Sequence, residues 1–495
     1  MLHSSAFVLA SVLGAATVLG FAPFNLFPVP LFTLAALLWL WRRSGEPRRA
    51  AWLGFAFGLG YFGAGVSWVY VSLHDFGGMP AVFAVLATAL FCAYLALFPA
   101  AAGWLALRFA PNGAPGLVPF AAAAWALGEW LRGWLLTGFP WLAIGYSQVP
   151  ESPLAGVAPV LGVFGISFVL VFVAGLGQSL LPDAKPRVLS IVGIVVLLLA
   201  GFAFKRVQWT VPAGAPVSVS LLQGNIAQDL KFREDRLIGQ LQTYLDLVGK
   251  NPARLIILPE SAVPLLRTQV PEGYLDELAS IAKQRSADLL VGLFDYTEST
   301  GDIYNSVISL GTSPTQVYHK YHLVPFGEFI PVKPLIGWIY DTFLHIPLAD
   351  QARGARVQEP LKVAGQRVAV DICYEDAFGE EIIRQLPEAT LLVNVSNDAW
   401  FGERIAPWQH TQIAQTRALE TGRYMLRATN TGVTSIIDHR GQLLTHLPQL
   451  TGAALHGNVQ GREGATPYVL AGNGPIVAIC LSVIGVRVWR RRRGG

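Results

Sequence analysis

A polytopic α-helical membrane domain joined to a layered α/β domain is the fold class this sequence predicts, on three observations. Residues 1–206 are almost continuously apolar, broken by short polar joints. Residues 207–465 instead mix short β-branched runs with charged stretches at helical spacing. The composition agrees: 53% of the 495 residues are hydrophobic, 14% are charged, and the mean hydropathy is +0.46, where an ordinary soluble domain carries about 25% charged residues.

The apolar part predicts seven spans, at 6–23, 28–42, 51–73, 80–107, 118–138, 154–181 and 187–205. All but the second have the roughly 20 residues that cross a hydrocarbon core. The first has no Lys or Arg before it and more spans behind it, so it reads as a span and not as a cleaved signal. The basic joints set the orientation. Arg42–Arg49 (R-R-S-G-E-P-R-R), Arg108, the D-A-K-P-R run before span seven and the C-terminal R-V-W-R-R-R-R all fall on one side if the N-terminus is cytoplasmic. The block 207–465 is then outside the cytoplasm. A last span at 466–488 brings the chain back, and 466–495 closes as span plus basic tail. The net charge of +4 is clustered at the joints and forms no nucleic-acid patch. Three scattered cysteines make no disulfide framework.

In the polar block, strands are expected at 217–222, 255–258, 288–294, 306–310, 316–319, 368–372, 390–395 and 433–438, and helices at 233–250, 274–285, 379–386 and 408–423. The stretch 333–352, K-P-L-I-G-W-I-Y-D-T-F-L-H-I-P-L-A-D-Q-A, is apolar and aromatic within this block. It reads either as a lid that dips toward a membrane or as a loop packed on its own domain. In the membrane part, Glu129 and Arg132 share a helix face and read as an internal pair. His74 and Asp75 lie in a joint on the same side as the polar block. They read as an interfacial polar pair or as neighbours of its site.

Three strand ends carry chemistry. Glu260 follows L-I-I-L-P, Lys320 follows Y-H, and Cys373 follows V-A-V-D-I and precedes Tyr374, Glu375 and Asp376. Cys92 and Cys480 lie in apolar segments, so Cys373 is the one cysteine in a water-soluble context. A small buried hydrophobe and a nucleophile are both open readings for it. A carboxylate, an ammonium and a thiol together suit acyl transfer: Glu260 takes the thiol proton, while Lys320 favours the thiolate and holds an oxyanion. His319 and His322 flank Lys320 without a third ligand at metal spacing, and no phosphate loop or dinucleotide fingerprint occurs. Neither a metal nor a cofactor is expected.

In these contexts Glu260, Lys320 and Cys373 resemble the Glu-Lys-Cys triad of the nitrilase superfamily and, within it, the apolipoprotein N-acyltransferase family. The resemblance runs through F-A-P-F (Phe21–Phe24), S-W-V-Y-V-S-L-H-D-F-G-G (Ser67–Gly78) and E-W-L-R-G-W-L-L-T-G-F-P-W (Glu129–Trp141). It continues through Q-G-N-I (Gln223–Ile226), L-P-E-S (Leu258–Ser261), K-Y-H-L-V-P-F-G-E-F-I-P (Lys320–Pro331), C-Y-E (Cys373–Glu375), S-N-D-A-W-F-G (Ser396–Gly402) and R-A-T-N-T-G-V (Arg427–Val433).

It implies an αββα nitrilase sandwich, outside the cytoplasm, on an eight-span domain of a cell inner membrane. It also implies ping-pong transfer. Cys373 takes an acyl chain from the sn-1 ester of a phospholipid, typically phosphatidylethanolamine. The chain then passes to the N-terminal amine of an S-diacylglyceryl-cysteine apolipoprotein. Glu328, Tyr374, Glu375 and Asn305 match supporting positions. Phe232 stands where the family commonly has tryptophan, and with Trp338, Tyr340, Phe343 and His74 it is expected to contact substrate. A monomer is expected. Two rivals stay open: a membrane-tethered amidase that hands the acyl group to water, and a transport or lipid-binding scaffold with an inert polar domain.

Overall fold

A computed structural model describes residues 2–109, 114–178, 187–331, 333 and 350–493. The chain forms two compact units. One comprises Met1–Tyr70, Val82–Gln208 and Leu470–Gly495, the other Val71–Ala81 and Trp209–Val469.

The first unit is helical: α1 (Leu2–Thr17), α2 (Val29–Ser44), α3 (Pro47–Gly65), α4 (Ala81–Phe109), α5 (Ala114–Arg132), α6 (Ala158–Gln178), α7 (Arg187–Arg206) and the terminal helix Gly474–Arg493. Among the described residues three helices are long and apolar enough to cross a membrane, at Ala81–Phe109, Pro153–Gln178 and Val188–Arg206. A fourth counts if the broken pair Pro47–Gly65 and Val69–Phe76 is one span. The expected third span is therefore interrupted at 66–68, and the fifth ends at Arg132, with Leu136 in a left-handed turn (φ 54°). α7 leaves Val188, Leu189, Val192, Val196 and Leu199 exposed, as a lipid-facing helix does. α1 and α3 approach so closely that a Cβ on Gly14 or Gly60 would run into the backbone of the other helix.

Glu129 and Arg132 are both buried, and both hold irregular backbone. Glu129 accepts from Trp125 Nε1 (2.9 Å) and the Ile144 amide (2.7 Å), and Arg132 donates to the carbonyls of Phe139 (2.8 Å) and Trp141 (2.6 Å). Backbone without a helix partner is tolerated at membrane depth only when it is satisfied in this way.

The second unit is built on two six-stranded sheets. The strands of these two sheets are β1 (Val217–Gln223), β2 (Leu255–Ile257), β3 (Asp288–Thr297), β4 (Asp302–Gly311), β5 (Val317–His319), β6 (Leu361–Val363), β7 (Gln366–Ile372), β8 (Leu391–Ser396), β9 (Met425–Thr429), β10 (Ser435–Ile437), β11 (Leu443–His446) and β12 (Ala453–Val459). The sheet orders are β12-β1-β2-β3-β4-β5 and β11-β10-β9-β8-β7-β6.

Alternation along each strand makes the layers. Val219, Leu221, Leu255, Ile257 and Leu290 of one sheet pack against Val368, Val370, Val393, Val395 and Leu426 of the other. The opposite faces, Leu222, Ile256 and Leu289 on one side, pack under the helices α8 (Glu234–Lys250) and α9 (Tyr274–Gln284). Ala369, Leu392 and Met425 pack under α10 (Ala406–Thr421). The result is the αββα sandwich. Strands buried on both faces read as continuous apolar runs, which is why β2, β7 and β8 are visible in the sequence. β6, β9, β11 and β12 are strands beyond those expected, and 379–386 is a short α-turn followed by a 3₁₀ turn and not one helix.

Candidate active site

Glu260, Lys320 and Cys373 each follow the C-terminal end of a strand, β2 and β5 in one sheet and β7 in the other. β2 and β3 are parallel, while β3–β4 and β4–β5 are antiparallel. β2 and β5 therefore deliver their ends to the same edge. All three residues are buried, with Lys320 1% exposed and Cys373 9%.

The structure brings the carboxylates and the ammonium together. Lys320 Nζ lies 2.7 Å from Glu328 Oε1 and 3.6 Å from Glu260 Oε1. Asn305 Nδ2 donates to both, at 2.7 Å to Glu260 Oε1 and 3.1 Å to Glu328 Oε1. The Asn397 amide donates to Glu260 Oε2 at 2.8 Å, and the Val324 amide to Glu328 Oε2 at 2.8 Å. Burial lowers the proton affinity of Lys320, but the charges of Glu328 and Glu260 outweigh it and hold the ammonium well above its ordinary range. Lys320 is a fixed cation.

Cys373 has a left-handed backbone (φ 55°), as does Ser261 beside Glu260 (φ 48°). A sharp turn of this kind at a strand end presents a nucleophile outward from the sheet. Its carbonyl is held from behind by Asn394 Nδ2 and His410 Nε2, each at 3.1 Å. Burial pushes the thiol well above its ordinary value, Glu260 adds to the rise, and Lys320 pulls back. The expected thiolate-favouring effect of Lys320 is present but outweighed. The resting group is a neutral thiol that needs a base.

The other expected residues separate into distinct places. Glu375 lies behind the site, where its carboxylate accepts from the amides of Tyr321 (2.7 Å), His322 (3.0 Å) and Ile372 (2.7 Å) and from Tyr318 Oη (3.1 Å). It thereby ties the Lys320 segment to the Cys373 strand. Tyr374 is buried and packs edge-on against His322 and Phe378. Phe232 is half-buried against Phe294, at 6.4 Å between ring centroids. His74 Nδ1 meets the Met79 carbonyl in its own segment at 2.7 Å, and that segment's Ser72 donates to the Trp400 carbonyl at 2.8 Å. Trp338, Tyr340 and Phe343 lie outside the described residues.

Several residues were not singled out by the sequence. Behind Cys373, Arg427 bonds Asp376 Oδ2 (3.1 Å), Asp398 Oδ2 (2.8 Å) and Asn394 Oδ1 (2.6 Å), all fully buried. His410 joins Asp376 (2.9 Å) to Asp398 (2.8 Å). Burial and Arg427 push His410 down, but the two carboxylates dominate and raise it to about 9. Asn430 Nδ2 donates to Asn397 Oδ1 (3.0 Å), and Asn397 Nδ2 donates to Gln228 Oε1 (2.7 Å). Lys231 Nζ donates to the Glu260 carbonyl at 3.0 Å. The available signal was the motif set: S-N-D-A-W-F-G and R-A-T-N-T-G-V contain Asn397, Asp398, Arg427 and Asn430.

Known proteins match both parts of the chain. Residues 13–176 match the apolipoprotein N-acyltransferase N-terminal domain, and residues 218–468 match the carbon-nitrogen hydrolase family. An apolipoprotein N-acyltransferase of Nitrosomonas europaea is 56% identical over 95% of this chain and 95% of its own length. Those of Methylococcus capsulatus (47% identical, 99% of this chain and 97% of its own) and Chromobacterium violaceum (45%, 98% and 94%) follow. Two domain matches in order and near-complete coverage by such relatives lead to one conclusion: the chain belongs to the apolipoprotein N-acyltransferase family of enzymes.

Proposed function

We propose that this enzyme moves one acyl chain from the sn-1 ester of a phospholipid such as phosphatidylethanolamine, through a thioester on Cys373, to the N-terminal amine of an S-diacylglyceryl-cysteine lipoprotein. The observation that carries this reading is a fixed buried cation, Lys320, between two carboxylates, with a neutral thiol at the facing strand end.

In the first half-reaction Sγ attacks the ester carbonyl as its proton passes to Glu260. The tetrahedral oxyanion lies against Lys320 Nζ. Collapse breaks the ester C–O bond, and Glu260 returns the proton to the departing alkoxide, giving lysophospholipid and acyl-Cys373. In the second, the lipoprotein amine attacks the thioester and Glu260 takes its proton. The C–S bond breaks, and that proton reaches the leaving sulfur to restore the thiol. Asn305 and the Asn397 amide hold Glu260 in place, Glu328 holds Lys320, and Glu375 supports both strands.

In the same reading 1–206 supplies seven spans of an inner membrane, 207–465 lies on the periplasmic side, 466–495 returns as an eighth span, and the enzyme works as a monomer. The apolar helices and the one-sided basic joints support that orientation. Trp338, Tyr340 and Phe343, with Phe232 and His74, are assigned to lipid contact on their chemistry.

The test uses purified full-length protein with phosphatidylethanolamine and a diacylglyceryl-cysteine peptide. The expected result is a peptide heavier by one acyl chain and an equal amount of lysophospholipid. Free fatty acid in place of acylated peptide would contradict the acceptor assignment.

A further inference from the structure

The loop between β1 and α8 brings a second lysine to the site. Its course is fixed by the opposite sheet. The Asn225 amide donates to the Asn430 carbonyl (2.9 Å), the Ile226 amide to Asn430 Oδ1 (2.9 Å), and Gln228 Oε1 accepts from Asn397 Nδ2 (2.7 Å). Asn397 is the residue whose amide holds Glu260. Lys231 follows and is 2% exposed. Among the described residues its ammonium makes one hydrogen bond, to the main-chain carbonyl of Glu260. A buried ammonium with a single neutral acceptor is costly unless nearby negative charge compensates it. In the resting site the compensation comes from the carboxylate of Glu260, whose field reaches Lys231.

We propose that Lys231 is a positioning residue for acyl transfer, clamping the Glu260 main chain and supplying the second positive charge of the site. This rests on the reading of Glu260, Lys320 and Cys373 given above. With Lys231 charged, two ammoniums (Lys231, Lys320) balance two carboxylates (Glu260, Glu328). During attack the thiol proton moves to Glu260 and the negative charge moves to the substrate oxygen, so the site stays neutral. Without Lys231 the buried site carries one uncompensated negative charge before and after the step, and in the step negative charge moves from Glu260 onto the substrate oxygen with one cation fewer to hold it. Lys231 keeps its proton throughout.

The groups facing Lys231 are Glu260 from the end of β2 and Cys373 from the end of β7. Burial brings the ammonium down to about 8 against their pull. Above that pH it is neutral, and the reaction slows. Glu375, raised to about 7, and His410, at about 9, also titrate in this range, and variants at Lys231 separate its midpoint from theirs.

The experiment follows thioester formation on full-length protein with phosphatidylethanolamine by intact mass, from about pH 6 to 10, for wild type, Lys231→Met and Lys231→Arg. Wild type is expected to lose rate with a midpoint near 8. Lys231→Met is expected to be slower by roughly ten- to a hundredfold at neutral pH and to lack that midpoint. Lys231→Arg is expected to keep more of the rate, with the alkaline fall moved upward. A Lys231→Met rate equal to wild type, or a slowed rate that keeps the wild-type midpoint, would overturn the assignment. So would a wild-type profile with no fall near 8. If Lys231→Met gives no cooperative melt, Lys231→Arg decides, and a midpoint unchanged from wild type overturns the proposal. Absence of any thioester on wild type would sink the acyl-transfer reading itself, and this inference with it.

Discussion

At the scale of single residues the central fact is that Cys373 is harder to ionise than a free cysteine, because burial and Glu260 outweigh Lys320. Its alkylation by iodoacetamide without lipid is therefore expected to keep rising beyond pH ~8.5, the ordinary thiol range, as followed by peptide mapping. A plateau near neutrality would contradict a thiol that depends on Glu260. Glu260→Gln is expected to lower thioester formation by roughly 10²–10⁴-fold with the thermal midpoint little changed. His410 gives a stability prediction. Its folded-state value, about 9, exceeds its ordinary 6.5. The contribution of the protonated form is thus fully present below 6.5 and is lost as pH rises through 9. The melting temperature is expected to fall across that interval in wild type and to change less in His410→Gln. The strand-end positions of Glu260 and Cys373 were legible in the sequence because each stands where an apolar run turns polar, while Lys320, after T-Q-V-Y-H, stood out only through its motif. His410, Asp376 and Arg427 were not legible, since a charge paired inside a core reads like a charge in water.

At the scale of elements, strand ends set the geometry, and small residues let them approach. Gly292 on β3 lies against the Glu260 turn: a Cβ there would come within 2.9 Å of the Glu260 Cα and 2.8 Å of the Ser261 amide. Gly292→Ala is expected to displace Glu260 and reduce turnover roughly ten- to a hundredfold, read as kcat in the peptide acylation assay. A variant with wild-type kcat would show that the turn yields without moving the carboxylate. Leu290, fully buried between the sheets, is a pure packing position. Leu290→Ala is expected to cost about 2–5 kcal/mol of stability, measured by denaturant or thermal melting. β7 and β8 announced themselves by the apolar runs V-A-V and L-L-V. β9 did not, because M-L-R-A-T carries Arg427 in its middle, and short edge strands such as β6 and β11 have too few residues for alternation to register.

At the scale of the whole molecule, the sequence carried the division between an apolar helical part and an α/β part, because bulk hydropathy is a property of long stretches. The early end of α5 was hidden, since the non-helical segment after it, satisfied by Glu129, Arg132 and Tyr61, stays apolar in composition. Reporter fusions within 207–465 are expected to report a non-cytoplasmic location and fusions at the basic joints a cytoplasmic one; the reverse pattern would contradict the proposed orientation. Acyl transfer through Cys373 is decided by intact-mass spectrometry of wild type and Cys373→Ala incubated with phosphatidylethanolamine. One added acyl chain is expected on wild type, mapped to Cys373, removed by the diacylglyceryl-cysteine peptide and absent from the variant. An acyl adduct that persists in Cys373→Ala, or peptide acylation by that variant at the wild-type rate, would contradict it.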